Sequence, residues 1–296
     1  MSHALVLGGG GPVGIAWESG LVVGLTDRGV RLGEADQVIG TSAGSVVGAR
    51  LTLNRDLGAA ITRTYSRRAD GSRPTSEGYA QSMGPRMAEL REVMARAAMY
   101  DGPREEALRD VGTFALNAEV GPEERFVSFF ADLAGALWPA AFACTAVDTE
   151  TGEFVVWNQA SGVPLDHAVA SSCSVPGVYP PITLNGRRYM DGGMRSGLNA
   201  DLPAGADKVL VVAVTATPPE DADLPFLVRL RQQREAELRA LTDAGSKTVV
   251  IEPDAAFTEL TGGGLFLMDA SRAPAAYDVG LAQGAREADR VAAAWS

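Results

Sequence analysis

The pentapeptide GTSAG at residues 40–44 is the strongest chemical signal in the sequence. Its Gly-x-Ser-x-Gly spacing is typical of a nucleophile elbow, in which the serine sits on a sharp strand-to-helix turn and its hydroxyl projects from the sheet. Gly40 and Gly44, with the small Ala43, let the backbone bend there without clashes. The Ala43 amide and the positive end of the following helix dipole can then stabilise an oxyanion beside Ser42. The alternative is a structural turn in which Ser42 only caps the helix.

A glycine run opens the segment GGGGPVG at residues 8–14, which is the second signal. Consecutive glycines expose backbone N–H groups in a concave arrangement that binds anions. The anion can be a tetrahedral oxyanion or a dinucleotide pyrophosphate, because Gly9, Gly11 and Gly14 also satisfy Gly-x-Gly-x-x-Gly. A dinucleotide fold expects an acidic residue at the end of the second strand, where this chain has GTSAG instead. The oxyanion interpretation is therefore favoured, and a purely structural glycine turn is the remaining alternative.

The sequence offers few candidates for the general base that a serine nucleophile needs. It contains two histidines. His3 lies at the start of the chain, and His167 begins an apolar helical stretch, where capping or packing explains it. Asp191 is better placed, because it lies between a strand end and Gly192-Gly193, which let the chain turn its carboxylate toward a neighbouring loop. An ordinary Asp-Gly-Gly turn is the alternative reading of this motif.

Strands alternate with helices along the chain, which predicts a three-layer α/β fold around a mainly parallel sheet. Apolar and β-branched runs predict strands at residues 4–7, 38–39, 140–147, 153–157, 188–190 and 209–214, with a last one at 248–251. Helical patterns cover residues 12–28, 43–53, 86–98, 104–108, 126–137, 165–172, 226–241 and 274–294. The stretch from about 56 to 139 is predicted to be a helical insertion. No linker or repeat interrupts the sequence, so a single domain over residues 1–296 is expected.

Composition and net charge limit the partners and the location that the protein is expected to have. The chain has 296 residues, and its formal net charge of −11 argues against nucleic acid as a partner and disfavours adhesion to anionic membranes. We expect at most peripheral membrane contact and a cytoplasmic location, because no signal peptide or long apolar run is present. Cys144 and Cys173 are expected to be free buried thiols. Neither a metal nor a cofactor is expected, since Glu105 and Glu106 are adjacent on a helix and point in different directions.

Three blocks in one order make the chain similar to a known family. The runs LVLGGGGPVGIAWESG, GTSAGS and SSCSVPGVYPPITLNGRRYMDGG resemble those of the patatin-like phospholipases, and the resemblance covers most of residues 4–205. It implies a three-layer α/β/α sandwich that residues 206–296 complete. It also implies hydrolysis of carboxylic esters of lipids, with a lipid or acyl ester as the substrate.

The resemblance also assigns roles to individual residues. It implies a dyad in which Ser42 is the nucleophile and Asp191 the proton acceptor, and an oxyanion hole built from the amides around Gly9, Gly10 and Gly11. One position departs from the pattern, because Val13 stands where the family usually has arginine or lysine. A cation at this position would help to anchor the loop and to bind an anionic head group, and the valine side chain provides neither interaction.

Two softer patterns concern substrate access. Four methionines lie in one short stretch, at Met83, Met87, Met94 and Met99, near helical spacing. They indicate either an acyl groove or, as the favoured reading, the inner face of a cap helix. A basic cluster comprises Arg63, Arg67, Arg68 and Arg73. It fits a solvated face better than a head-group site.

Two other classes of function compete with the acyl hydrolase. The first is a non-catalytic lipid- or acyl-binding protein on the same fold, which the presence of both Ser42 and Asp191 disfavours. The second is a nucleotide-dependent enzyme that uses the glycine run. Binding of a nucleotide or reaction with a fluorophosphonate would separate them.

Overall fold

A central sheet organises the chain, whose computed structural model describes residues 1–66 and 76–295. In these ranges the sheet has eight strands in the order β5-β6-β3-β2-β1-β7-β8, and β4 pairs with β3 off this path. The strands are β1 (His3–Leu7), β2 (Gln37–Gly40), β3 (Phe142–Asp148), β4 (Phe154–Trp157), β5 (Ile182–Leu184), β6 (Arg187–Asp191), β7 (Lys208–Val212) and β8 (Lys247–Ile251). Strands β3, β2, β1, β7 and β8 are mutually parallel, whereas β4, β5 and β6 pair antiparallel.

The pairing of β3 brings the ends of β2 and β6 together. Cys144 pairs with both β2 and β4, and Ala146 pairs with both β4 and β6. A strand has only two edges, so β2 and β6 must share one edge of β3 and meet end to end. Because Gly40 is opposite Cys144 and Asp191 is opposite Ala146, the residues that follow Gly40 run directly toward Asp191.

Helices cover both faces of the sheet. They are α1 (Gly11–Thr26), α2 (Ala43–Thr52), α3 (Leu57–Ser66), α4 (Ser76–Ser82), α5 (Gly84–Ala98), α6 (Arg104–Asn117), α7 (Glu123–Val127), α8 (Leu165–Ser172), α9 (Pro225–Asp243), α10 (Ala255–Thr261) and α11 (Ala273–Trp295). Strand β1 shows the layering: Leu5 and Leu7 pack in the core with α1, α2 and α11, whereas Ala4 and Val6 pack with Leu241 of α9. This period-2 alternation produces the predicted three layers.

Helices α1 and α11 pack with almost no space between their backbones. A Cβ built on Gly20 would lie 2.1 Å from the Tyr277 carbonyl oxygen, and one on Gly280 would lie 2.1 Å from the Trp17 carbonyl oxygen. Gly24 and Gly284 have similar contacts. Only glycine permits this approach, so these positions fix the contact between an early and a late helix of the chain.

The insertion is helical, as predicted, and two of the four methionines in the predicted stripe face inward, whereas Met99 is 45% exposed. Met87 and Met94 of α5 pack against a core cluster that includes Met190 and Met194, on either side of Asp191. This arrangement agrees with the inner face of a cap helix. Of the predicted basic cluster, Arg63 is exposed on α3. Arg67, Arg68 and Arg73 lie outside the described residues.

The predicted helix over residues 126–137 is wrong. Helix α7 ends at Val127 and a 3-10 turn follows at Ser128–Phe130. The chain then continues in tight turns, such as the hydrogen bond from the Leu133 amide to the Phe130 carbonyl at 2.9 Å. Burial of Phe126, Phe130 and Leu133 satisfies the apolar spacing in this tighter path.

Within residues 1–66 and 76–295, no helix is both long enough and apolar enough to span a membrane.

Candidate active site

Ser42 occupies a sharp turn between β2 and α2. Its backbone has φ 52° and ψ −114°, a conformation that costs free energy for any residue with a side chain. The turn is so tight that a Cβ on Gly40 would lie 2.4 Å from the Gly44 carbonyl oxygen, and one on Gly44 would lie 2.1 Å from the Leu7 carbonyl oxygen. Ser42 is 6% exposed, and its side chain makes no capping hydrogen bond to α2. The geometry is that of a nucleophile elbow and does not support a simple helix cap.

The end of α8 holds the backbone of the elbow. The Ser42 amide donates to the Ser172 hydroxyl at 3.0 Å, and the Cys173 thiol donates to the Ser42 carbonyl at 3.2 Å. The Ser45 hydroxyl donates to the same carbonyl at 2.6 Å. Cys173 and Cys144 are both free and buried, as predicted, and burial raises the pKa of each thiol. These contacts stabilise the strained conformation, and sequence reasoning missed Ser172 and Cys173 because nothing in SSCS marks them.

Asp191 ends β6 and is 2% exposed. Its carboxylate accepts a hydrogen bond from the Gly193 amide at 2.7 Å, so it also orders the turn that the Asp-Gly-Gly motif predicts. Burial raises the pKa of this carboxyl from 3.8 to about 7, although hydrogen bonds with the Ser42 side chain and the Gly193 amide favour the ionised form. A carboxylate with a pKa near neutrality beside a serine hydroxyl can act as a general base.

The glycine run lies beside the elbow, but its three predicted oxyanion donors are not equivalent. Gly9 donates its amide to the Gly197 carbonyl at 2.8 Å, so its assignment as an oxyanion donor is corrected to that of a loop anchor. Gly10, Gly11 and Ala43 donate to no other residue in the described part of the chain. A Cβ built on Gly9 would lie 3.4 Å from Ser42 Cβ, so the glycine run meets the Ser42 turn at Gly9, and three backbone donors without a described partner follow or flank this contact.

The other motif glycines make room for close packing. A Cβ on Gly14 would lie 3.0 Å from Val214 Cγ1, and one on Gly192 would lie 2.1 Å from Thr145 Oγ1. Gly192 therefore lets the turn after Asp191 lie directly against β3.

A buried polar network connects the two segments that carry Ser42 and Asp191. The Asn199 side-chain amide donates to Thr41 Oγ1 at 2.9 Å and to the Ser196 carbonyl at 2.8 Å. Thr41 Oγ1 in turn bonds Thr145 Oγ1 at 2.9 Å. Arg195 donates to Asn199 Oδ1 at 2.8 Å. No periodicity or motif reasoning from the sequence identifies this network.

The histidines have partners of their own. His3 Nε2 bonds the Trp295 carbonyl at 2.8 Å, and His167 Nδ1 bonds Asp166 at 3.0 Å. Neither contacts Ser42 or Asp191 by a hydrogen bond in the described structure. Over the same ranges, no group of three or more His, Cys, Asp or Glu side chains is arranged to hold a metal ion.

Comparison with known proteins gives a family match and several similar solved structures, of which two are described below. The model of the family described as "Patatin-like phospholipase" matches residues 5–204. The chain is similar to the crystal structure of VipD from Legionella pneumophila, with 13% identity and a TM-score of 0.40 over 94% of this chain and 66% of that one. It is also similar to the type III effector protein ExoU, with 16% identity and a TM-score of 0.32 over 96% of this chain and 53% of that one. The chain thus spans just under two thirds of VipD and about half of ExoU. No curated protein sequence matches significantly.

Proposed function

The chain belongs to the patatin-like phospholipase family, and from this premise we propose that it is a serine acyl hydrolase of lipid esters with a Ser42–Asp191 dyad. Family membership supports lipid ester hydrolysis at a general level. The proposal adds the residues: Ser42 as nucleophile, Asp191 as general base, and the amides of Gly10, Gly11 and Ala43 as oxyanion donors. No cofactor enters the proposed reaction.

A single observation carries the proposal. Asp191 is buried, burial raises its pKa to about 7, and the Ser42 side chain is close enough to favour its ionised form. An aspartate with its ordinary pKa would be too weak a base to take a serine proton efficiently, and efficiency improves as the pKa approaches the working pH. Burial thus supplies the basicity that a histidine supplies in a triad.

The proposed reaction has two halves. Asp191 takes the Ser42 hydroxyl proton as the oxygen attacks the ester carbonyl carbon, and the three amides hold the resulting oxyanion. Collapse breaks the ester bond, and the alcohol leaves with the proton from Asp191. A water molecule then attacks the acyl-serine, giving its proton to Asp191. Release of the fatty acid returns the proton to Ser42.

The experiment combines active-site labelling with turnover. Purified protein is treated with a fluorophosphonate and mapped by peptide mass spectrometry, and hydrolysis is measured on p-nitrophenyl esters and lysophospholipids. We expect one labelled serine, Ser42, and loss of both label and turnover in Ser42→Ala. Ser128→Ala, a change at an exposed serine whose hydroxyl bonds the Arg125 carbonyl, serves as the matched control, and Ser42 should still be labelled in this variant.

Each alternative gives its own result. A protein that binds acyl chains without hydrolysing them would show a thermal shift with fatty acid but neither label nor turnover. A nucleotide-dependent enzyme would be stabilised by NAD or ATP. Persistent labelling of Ser42→Ala would show that the nucleophile lies elsewhere.

A further inference from the structure

We propose that residues 262–269, which lie beyond the family match, form a strap that positions the oxyanion loop, defined here as residues 8–14. The strap has the sequence GGGLFLMD. Its proposed role rests on the proposed function, because it acts through the amides of Gly10 and Gly11. The principal positioning residue is Met268.

A backbone hydrogen bond joins the strap to the oxyanion loop. The Val13 amide donates to the Leu267 carbonyl at 3.1 Å. Val13 is in the first turn of α1, where N–H groups have no partner within the helix. Pro12 has no N–H, and the Gly14 amide donates to the Gly10 carbonyl at 2.8 Å. The strap therefore engages the one remaining first-turn donor besides Gly11, and the Gly11 amide donates to no other described residue.

A side-chain contact reinforces this bond. Gly11 has φ +59°, and a Cβ built on it would lie 2.6 Å from Met268 Sδ and 2.9 Å from the Leu267 carbonyl oxygen. The strap therefore packs so closely against Gly11 that it leaves no room for a side chain there. A glycine in the left-handed region has alternative conformations close in energy, so such a contact selects one of them. Shifting Met268 would change the direction of the Gly11 N–H.

The strap is anchored firmly at one end. Asp269 is fully buried and accepts hydrogen bonds from the Ser271 hydroxyl, from Arg272 at 3.0 Å and from the Ser76 hydroxyl at 2.7 Å. Arg272 also lies 4.2 Å over the Phe266 ring. The other end begins with three consecutive glycines, all with positive φ. Hydrogen bonds and a cation–π contact therefore fix the Asp269 end of the strap, and the three glycines form the left-handed backbone that joins its other end to α10.

The side chain of Val13 offers no polar anchor of its own. It is fully buried within the main apolar core. Hydrogen bonds from the Gly8 and Gly9 amides to Val212 and Gly197 fix the start of the loop, and the strap holds its second half through the Leu267 carbonyl and Met268. This accounts for how the loop is fixed in a chain without a cation at this position.

The test compares Met268→Ala with Leu265→Ala, a matched control in the same strap whose side chain is 56% exposed. Met268→Leu, which keeps the volume, serves as the conservative rescue. Two quantities are measured: kcat and KM on p-nitrophenyl esters of several chain lengths, and deuterium exchange of the peptide that contains residues 8–16. Melting curves check that each variant folds.

A positioning role predicts a specific pattern. Met268→Ala should lower kcat by about 10- to 100-fold at every chain length, with KM little changed, because small displacements of catalytic groups cost up to about 100-fold. Exchange in residues 8–16 should rise. Leu265→Ala and Met268→Leu should stay near wild type in both measurements.

Two results would overturn the proposal that the strap positions the oxyanion loop. One is a deuterium-exchange rate in residues 8–16 of Met268→Ala that equals the rate in the wild type. The other is an effect on KM that depends on chain length, which would make Met268 part of an acyl pocket instead. If the wild type proved unable to hydrolyse esters, the proposed function would fail, and the exchange comparison alone would still decide whether the strap holds the loop.

Discussion

Replacing Asp191 with asparagine should remove turnover and stabilise the protein at the same time. Asparagine keeps the size of the side chain and the acceptor for the Gly193 amide, but it cannot take a proton. We expect kcat to fall by roughly 10²–10⁴-fold, the usual contribution of a general base. In the wild type, turnover should rise with pH through about 7, because the carboxyl must be ionised to act as the base.

The gain in stability follows from the raised pKa. Between pH 4 and 7 the folded protein keeps a proton on Asp191 that the unfolded chain has already lost, so the stability of the folded state falls as pH rises through this window. The difference between 3.8 and about 7 corresponds to roughly 4 kcal/mol at higher pH, at about 1.4 kcal/mol for each pH unit. Asparagine never ionises, so its variant avoids this loss.

Thermal melting at a series of pH values measures the effect. At about 2 °C per kcal/mol for a domain of this size, the Asp191→Asn variant should melt roughly 8 °C above the wild type at pH 8 and level with it near pH 4. Asp201 provides a control of opposite sign, because its hydrogen bond with Arg195 lowers its pKa. Asp201→Asn should therefore lose stability at neutral pH and recover parity only in acid.

Two results would refute this reasoning. Turnover within tenfold of wild type in Asp191→Asn would mean that another group accepts the proton. A melting difference that does not change with pH would mean that burial does not hold the carboxyl protonated. Because the expected limb near pH 7 overlaps the range of a histidine, the pH profile must be repeated in His167→Ala, where we expect the same limb.

Three further predictions concern single residues. Ser42→Gly should be inactive yet more stable than Ser42→Ala by about 1 kcal/mol in chemical denaturation, because φ 52° suits glycine; equal stability would argue against strain at the elbow. His3→Ala and His167→Ala should each keep kcat within about threefold, and a loss of 10² or more in either would replace the dyad with a histidine mechanism. Glu18→Met should raise the free energy of unfolding by about 1–3 kcal/mol in urea, because Glu18 is fully buried, both its oxygens lack a hydrogen-bond partner among the described residues, and burial raises its pKa well above the usual value. The Gly8 amide, which favours the ionised form of Glu18, donates to the Val212 carbonyl, and a destabilised Glu18→Met would reveal an unrecognised partner.

Much of the sheet could be predicted because its strands are marked by composition. Val209–Val212 is a β-branched and leucine run, and Asn185-Gly186 marks the hairpin between β5 and β6. The helices were harder to predict than the strands. Helices α3, α4 and α10 were not predicted individually, since they have only 10, 7 and 7 residues, and helices this short depend on tertiary packing for their stability.

The residues of the candidate site divide in the same way, because some leave a local sequence pattern and others do not. Ser42 could be found because the elbow needs glycines at fixed spacing, and such a requirement leaves a local signature. The environment of Asp191 could not, since its pKa depends on which segments cover it. Gly9 looked like its neighbours in sequence, and only the nearby Gly197 carbonyl sets it apart. Asn199 and Met268 contact residues that are far away in the sequence, so no local sequence pattern predicts their contacts.

The glycine-to-glycine contact between α1 and α11 has a consequence for how the protein is made. Ribosomes add about 5–20 residues per second, so α1 emerges roughly ten seconds to a minute before α11 exists. Until then Gly20 and Gly24 have no helix against them, and the apolar side of α1 is open to water or to a chaperone. Since α1 begins inside the oxyanion loop, a growing chain contains the turn at Ser42 well before α11 packs against α1. With the proposed dyad, the protein should therefore become competent for hydrolysis only after α11 has left the ribosome.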